Sequence, residues 1–173
     1  MQSNYKLVLL LFLGLSLNAF AQTKADALRD AKITSRAAKE MDFDLVLKHT
    51  LPSVLDMMGG KDVALSVLKA TFEGMEAQGF VFEKANVVSI SEVVEEQGQY
   101  RCLVESYKQM LMSGQRISST SHLLGIYNEA DNYWWFIETK QLNNNAMTAE
   151  ILPNFKTAIE IPEDSVSMEA IKS

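Results

Sequence analysis

Two histidines and a single cysteine are the groups in this chain best suited to acid–base, nucleophilic or metal chemistry. Their spacing narrows what they can do. His49 and His122 stand in no HExxH or other zinc pattern, and Cys102 adds only a lone thiol. Neither a metal nor a cofactor is expected from such a set. No GxSxG elbow, GxGxxG fingerprint or EF-hand loop is present. The tract Gly59-Gly60-Lys61-Asp62 lacks the first glycine of a phosphate loop and the hydroxyl residue after its lysine. It reads as helix punctuation instead.

One constellation depends on strand pairing. Ser113-Gly114 is a tight-turn signal between two alternating stretches. With a two-residue loop, Met112 faces Gln115, Glu105 lies opposite His122, and Tyr107 lies opposite Thr120. Leu103 and Leu124 flank them on the same face. Opposed Cβ atoms in an antiparallel pair are ~5 Å apart. A buried Glu–His pair at that distance would hold the imidazole in one tautomer and favour its charged form. Glu105, His122 and Tyr107 are therefore the catalytic candidates for acid–base chemistry. A three-residue loop would pair His122 with Ser106 and dissolve the dyad. On a solvated face the same pair would be an ordinary cross-strand contact.

His49 sits near the end of a helical segment, where a protonated imidazole suits the helix dipole. Capping or packing outweighs ligand binding as its role. Trp134 and Trp135 are adjacent and must point to opposite faces of a strand. One enters the core, and the other marks a contact surface or stacks on a ligand. The ligand-binding candidates are thus His49, Glu105, Tyr107, His122 and Trp134. Cys102 falls in an alternating stretch and reads as a buried, inert thiol.

The elements that would position these residues come in two blocks. Helical spacing runs through Ala25–Met41, with Leu28, Ala31, Ala38 and Met41 on one side. Asp42 is an N-cap for Phe43–His49, and Pro52 opens a short helix that stops at Gly59-Gly60. Asp62–Gln78 carries a stripe of Ala64, Val67, Leu68, Thr71, Phe72 and Met75. After Gly79 the period changes to two. Strands are predicted at Phe80–Val94, with a bend or bulge, and at Tyr100–Met112, Gln115–Tyr127 and Tyr133–Thr139, joined by Gln97-Gly98, Ser113-Gly114 and Asn128–Asn132. A short helix is predicted at Ala146–Leu152, and Ile159–Pro162 could run along the sheet. Helices followed by antiparallel strands specify an α+β fold, with N-terminal helices packed on a curved antiparallel sheet of about four strands.

The first residues have a different character. Lys6 precedes an apolar run, Leu7–Leu17, and Ala19-Phe20-Ala21 offers an A-x-A site. That pattern is a signal peptide over residues 1–21, and the run is short of the ~20 apolar residues a bilayer span needs. Gln22 follows the cleavage site rather than a cysteine, so no lipid anchor is expected. The protein is read as exported, periplasmic or secreted. Residues 22–162 form a single domain, and residues 163–173 a flexible, solvated tail. With one cysteine no internal disulfide can form, so stability must come from packing. The net charge of −6, without a basic stripe, argues against nucleic acid and anionic membrane surfaces as partners. The 47% hydrophobic content marks a globular chain.

The order of elements, the stretch DFDLVLKHTLPSVLDMMGGKD at Asp42–Asp62, MEAQGF at Met75–Phe80 and the aromatic strand Tyr133–Thr139 resemble the NTF2-like superfamily. The resemblance implies a cystatin-like α+β cone with an open mouth, as in small exported bacterial proteins of that type. The superfamily spans isomerases, dehydratases, cyclases and binding domains, so the fold alone does not give function. None of its enzyme motifs carries over residue by residue. The expected function is a non-catalytic binding domain for a small apolar ligand or a protein partner. An isomerase-, dehydratase- or cyclase-like enzyme with a Glu105–His122–Tyr107 pocket stands second. A homodimeric interaction module stands third.

Overall fold

The computed structural model describes residues 24–171. The signal-peptide segment, residues 1–21, lies outside the described residues. Helix α1 (24–40) is followed by α2 (Phe43–Lys48), α3 (Pro52–Met57) and α4 (Lys61–Glu76). The strands are β1 (Val81–Ile90), β2 (Val94–Glu96), β3 (Gln99–Met112), β4 (Gln115–Asn128) and β5 (Tyr133–Glu138). A 3-10 turn (Thr139–Asn143), helix α5 (Asn145–Ile151) and β6 (Ser165–Ala170) complete the chain. The fold is α+β, with five helices packed on an open antiparallel sheet of six strands rather than about four. No helix among the described residues is long and apolar enough to cross a membrane.

Local chemistry explains most boundaries. The Asp42 side chain accepts from the Leu45 N–H at 3.2 Å and caps α2. Gly59 and Gly60 both take positive φ, which lets Gly60 N–H reach back to Leu55 C=O at 2.8 Å and close α3. The long first strand divides as its bend implied. Bulges at Phe82/Lys84 and Val87/Ser89 twist β1, and the chain leaves the sheet before β2. Ser113 and Gly114 have φ of 50° and 75°, the two-residue hairpin turn that matches strand twist. The resulting register pairs Met112 with Gln115, Glu105 with His122 and Tyr107 with Thr120.

Two apolar clusters lie on opposite faces of the sheet. Ala27 and Ala31 of α1 rest on Cys102, Val104, Trp134 and Phe136. These alanines, rather than Leu28 and Met41, are the buried face of α1, because small side chains let the helix lie close to the strands. On α4, Ala64 is buried and Leu68, Phe72 and Met75 are half-buried, whereas Val67 and Thr71 are exposed. The second face is covered too. Leu124, Ile126 and Ile137 pack with Ile151 of α5 and with Leu152, Phe155 and Ile159 of the segment that follows.

Arg101 holds that covering segment in place. It is 2% exposed, and its guanidinium donates to Lys156 C=O at 2.8 Å and to the side-chain carbonyls of Gln97 and Gln99. Glu96 accepts from Thr157 Oγ1 and from the Ala158 N–H, both at 2.7 Å. The turn between β2 and β3 thus grips residues 154–158 through side chains alone.

The residues read as a flexible tail also need correction. Ser165–Ala170 form β6, paired antiparallel with Thr120–Gln115 of β4. β5 and β6 occupy the same edge of β4 in succession. His122 lies at the seam between them. Its N–H donates to Asp164 Oδ1 at 3.0 Å and its C=O accepts from Thr139 Oγ1 at 3.0 Å. Every residue of β6 is exposed, so backbone hydrogen bonds rather than burial hold it.

Candidate functional site

The free edge of β5 shows how the helical block is fixed to the sheet. Asp30, on α1, accepts from the Trp134 N–H at 3.0 Å. The Trp134 C=O lies 2.8 Å from His49 Nδ1. The next edge groups are taken by backbone, with Phe136 N–H on His49 C=O at 2.7 Å and Leu51 N–H on Phe136 C=O at 3.4 Å. A carbonyl can only accept, so His49 Nδ1 carries the ring proton. Nε2 has no protein partner among the described residues. His49 is 4% exposed and packs against the Tyr133 and Phe136 rings. Its first role is therefore to tie α2 to β5.

Behind that edge the helices and the sheet leave a half-open cavity of about 340 Å³. Ala31, Ser35 and Ala38 of α1, Val46 and Leu47 of α2, and Val54 of α3 line one side. Leu68 of α4 also lines it. Val87, Ser106, Lys108, Leu123 and Phe136 form the sheet wall. The α1 side chains toward the sheet are small where the helix passes Ser35 and Ala38, and Ser106 is the smallest residue of the wall opposite. The volume would hold on the order of ten water molecules. His49, Lys108, Glu138 and Gln141 supply polar groups to a lining that is otherwise mostly apolar.

Glu138 and Lys108 form the charged part of this lining. Lys108 Nζ is 2.9 Å from Glu138 Oε1, and Lys140 Nζ is 3.1 Å from Oε2. Burial pushes the Glu138 carboxyl up, but the two ammonium groups outweigh it and hold the group below the usual carboxylate range.

The five sequence candidates do not converge. His49 alone lines the cavity. Trp134 is fully buried in the core beneath α1 and is not on the cavity wall. Glu105 and His122 are register partners but make no hydrogen bond to each other. Glu105 accepts from Ser89 Oγ at 2.9 Å. His122 Nδ1 lies 3.1 Å from Asp164 Oδ1. Tyr107 donates to Ser118 Oγ at 3.2 Å and accepts from Gln109 Nε2 at 3.1 Å. Alternation puts Glu105, Tyr107 and His122 on the sheet face away from Ser106 and Lys108, and hence away from the cavity. The register matches the two-residue turn, and His122 hydrogen-bonds Asp164, just before β6, instead of Glu105.

Cys102 is fully buried, and burial pushes its thiol up to about 12, so no thiolate forms at neutral pH. No group of three or more His, Cys, Asp or Glu side chains is placed to hold a metal among the described residues. Sequence reasoning missed Lys108 and Glu138. Their signal was faint: a lysine and a glutamate at strand positions that, by alternation, share the inner face with Val104, Ser106 and Phe136. Comparison with protein-family models, curated proteins and solved structures returns no match for this chain.

Proposed function

We propose that this chain is an exported, non-catalytic binding domain of NTF2-like type that holds a small apolar molecule between its helices and its sheet. The cavity carries this reading. Its volume falls at the lower end of the range of small-molecule sites, and its lining combines apolar walls with a few polar groups. Helices set over a bulged antiparallel sheet support the NTF2-like assignment. The separate engagement of Glu105, Tyr107 and His122 weighs against an enzyme built on those residues. Export rests on the apolar run and A-x-A site of residues 1–21.

The test is binding of N-phenyl-1-naphthylamine, a neutral apolar dye that brightens on leaving water. The expected result is saturable binding that falls at least tenfold when the cavity is filled by Ala38→Phe or Val87→Phe, with circular dichroism unchanged. Native mass spectra of protein from its source cells should show a ligand-sized mass on the wild type and none on the filled variants. Dye binding that survives in both folded variants would refute the reading.

A further inference from the structure

The charged part of the cavity is asymmetric. Lys108, on the inner face of β3, reaches over β4 to Glu138 at the end of β5. Its path is open because the β4 residues on that face are small: Ser119 pairs with Lys108, and Ser121 follows. Glu138 Oε1 accepts from Lys108, and Lys140 Nζ lies 3.1 Å from Oε2, which is buried without a hydrogen-bond partner among the described residues. An ammonium group entering the cavity would meet two ammonium groups already beside that one carboxylate.

A carboxylate would find donors. The Lys108 ammonium has three N–H groups and sends one to Glu138. No other protein acceptor engages it among the described residues. Ser35 and Gln141 line the same cavity, and their side chains make no hydrogen bond to protein among the described residues. Two ammonium groups flank one carboxylate, leaving one positive charge in excess at this spot in a chain of net charge −6. Most of the remaining wall, including Leu47, Val54, Leu68, Leu123 and Phe136, is apolar.

We infer that the ligand is an apolar monocarboxylate, its carboxylate on Lys108 and its hydrocarbon part among Leu47, Val54, Leu68, Leu123 and Phe136. This rests on the reading of the cavity as a binding site. The preference comes from pairing the ammonium with an opposite charge, which a neutral hydroxyl does not offer.

Decanoate, decanol and decylamine share one chain length and differ at the head group, so calorimetric titration of the native protein with each separates head group from chain. Decanoate should bind at least tenfold more tightly than decanol, with decylamine weakest. Lys108→Gln should abolish the preference for decanoate and change decanol affinity by no more than about twofold, while Lys108→Arg should keep the preference. Decanol binding as tightly as decanoate, or a preference that survives in Lys108→Gln, would overturn the inference and leave the cavity reading intact. Failure of all three ligands and of the naphthylamine dye would overturn both.

Discussion

One methyl group added at Gly125 probes how tightly the inner face of the sheet is packed. Gly125 sits in β4 opposite Cys102 and Phe136. An alanine Cβ there would lie 2.8 Å from Cys102 Sγ, 3.2 Å from Phe136 Cε1 and 3.3 Å from Trp134 Cε3. Non-bonded heavy atoms prefer ~3.5–4.0 Å, so the sulfur contact overlaps by about 0.7 Å. Cys102 and Trp134 are fully buried and have no free side to move toward. Overpacking of this kind costs about 1–3 kcal/mol. Reduced freedom of the unfolded chain offsets roughly 0.5–1 kcal/mol of that, leaving a net loss of about 1–2 kcal/mol. For a chain of this size that is a fall of about 2–8 °C in melting temperature. Cys102→Ala alone removes the sulfur and should cost about 1 kcal/mol through the small void it leaves. In the double variant the new methyl enters the vacated space. Its stability should exceed the sum of the single effects by about 1–2 kcal/mol. Urea midpoints at constant m-value measure all four corners of the cycle. Additivity to within about 0.5 kcal/mol, or a neutral Gly125→Ala, would refute the packing account.

Two further outcomes follow from the polar groups. Arg101→Ala leaves Glu96 and the Lys156 carbonyl without their buried partner and should cost about 3–5 kcal/mol in urea unfolding, and Arg101→Lys should recover little of it because an ammonium cannot span the Gln97 and Gln99 carbonyls together. The pH dependence has a defined direction. Burial raises Glu96, but the Thr157 hydroxyl, the Ala158 N–H and Arg101 reverse it, so Glu96, like Glu138, lies below its ordinary value. Such groups contribute stability that is whole above the unfolded carboxylate value of ~4.3 and is lost as pH falls through the lower folded value. The urea midpoint should therefore drop below about pH 4, and Glu96→Gln should flatten that slope; an unchanged slope in the variant would sink the assignment.

Much of the molecule was legible before any coordinates. The switch from helical to two-residue spacing at Gly79 placed the helices and strands, because each residue's burial within one element repeats with that element's own period. The Ser113-Gly114 turn set the register of the central hairpin, since two positive φ angles in a two-residue loop fix which residues face each other. These are local properties, settled by neighbours along the chain.

The partners of the functional groups were settled elsewhere. β6 left no hydrophobic signature because all of its residues are exposed, and its attachment to β4 uses backbone groups that every residue carries. His122 took Asp164 rather than Glu105 only once β6 had brought Asp164 to the seam. Asp30 and His49 engage the N–H and the C=O of the same β5 residue, Trp134, from two different helical segments, a meeting that no spacing encodes. The cavity lies between small side chains on α1 and a mixed wall on the sheet, and volume between distant elements is a property of their packing rather than of either sequence stretch alone.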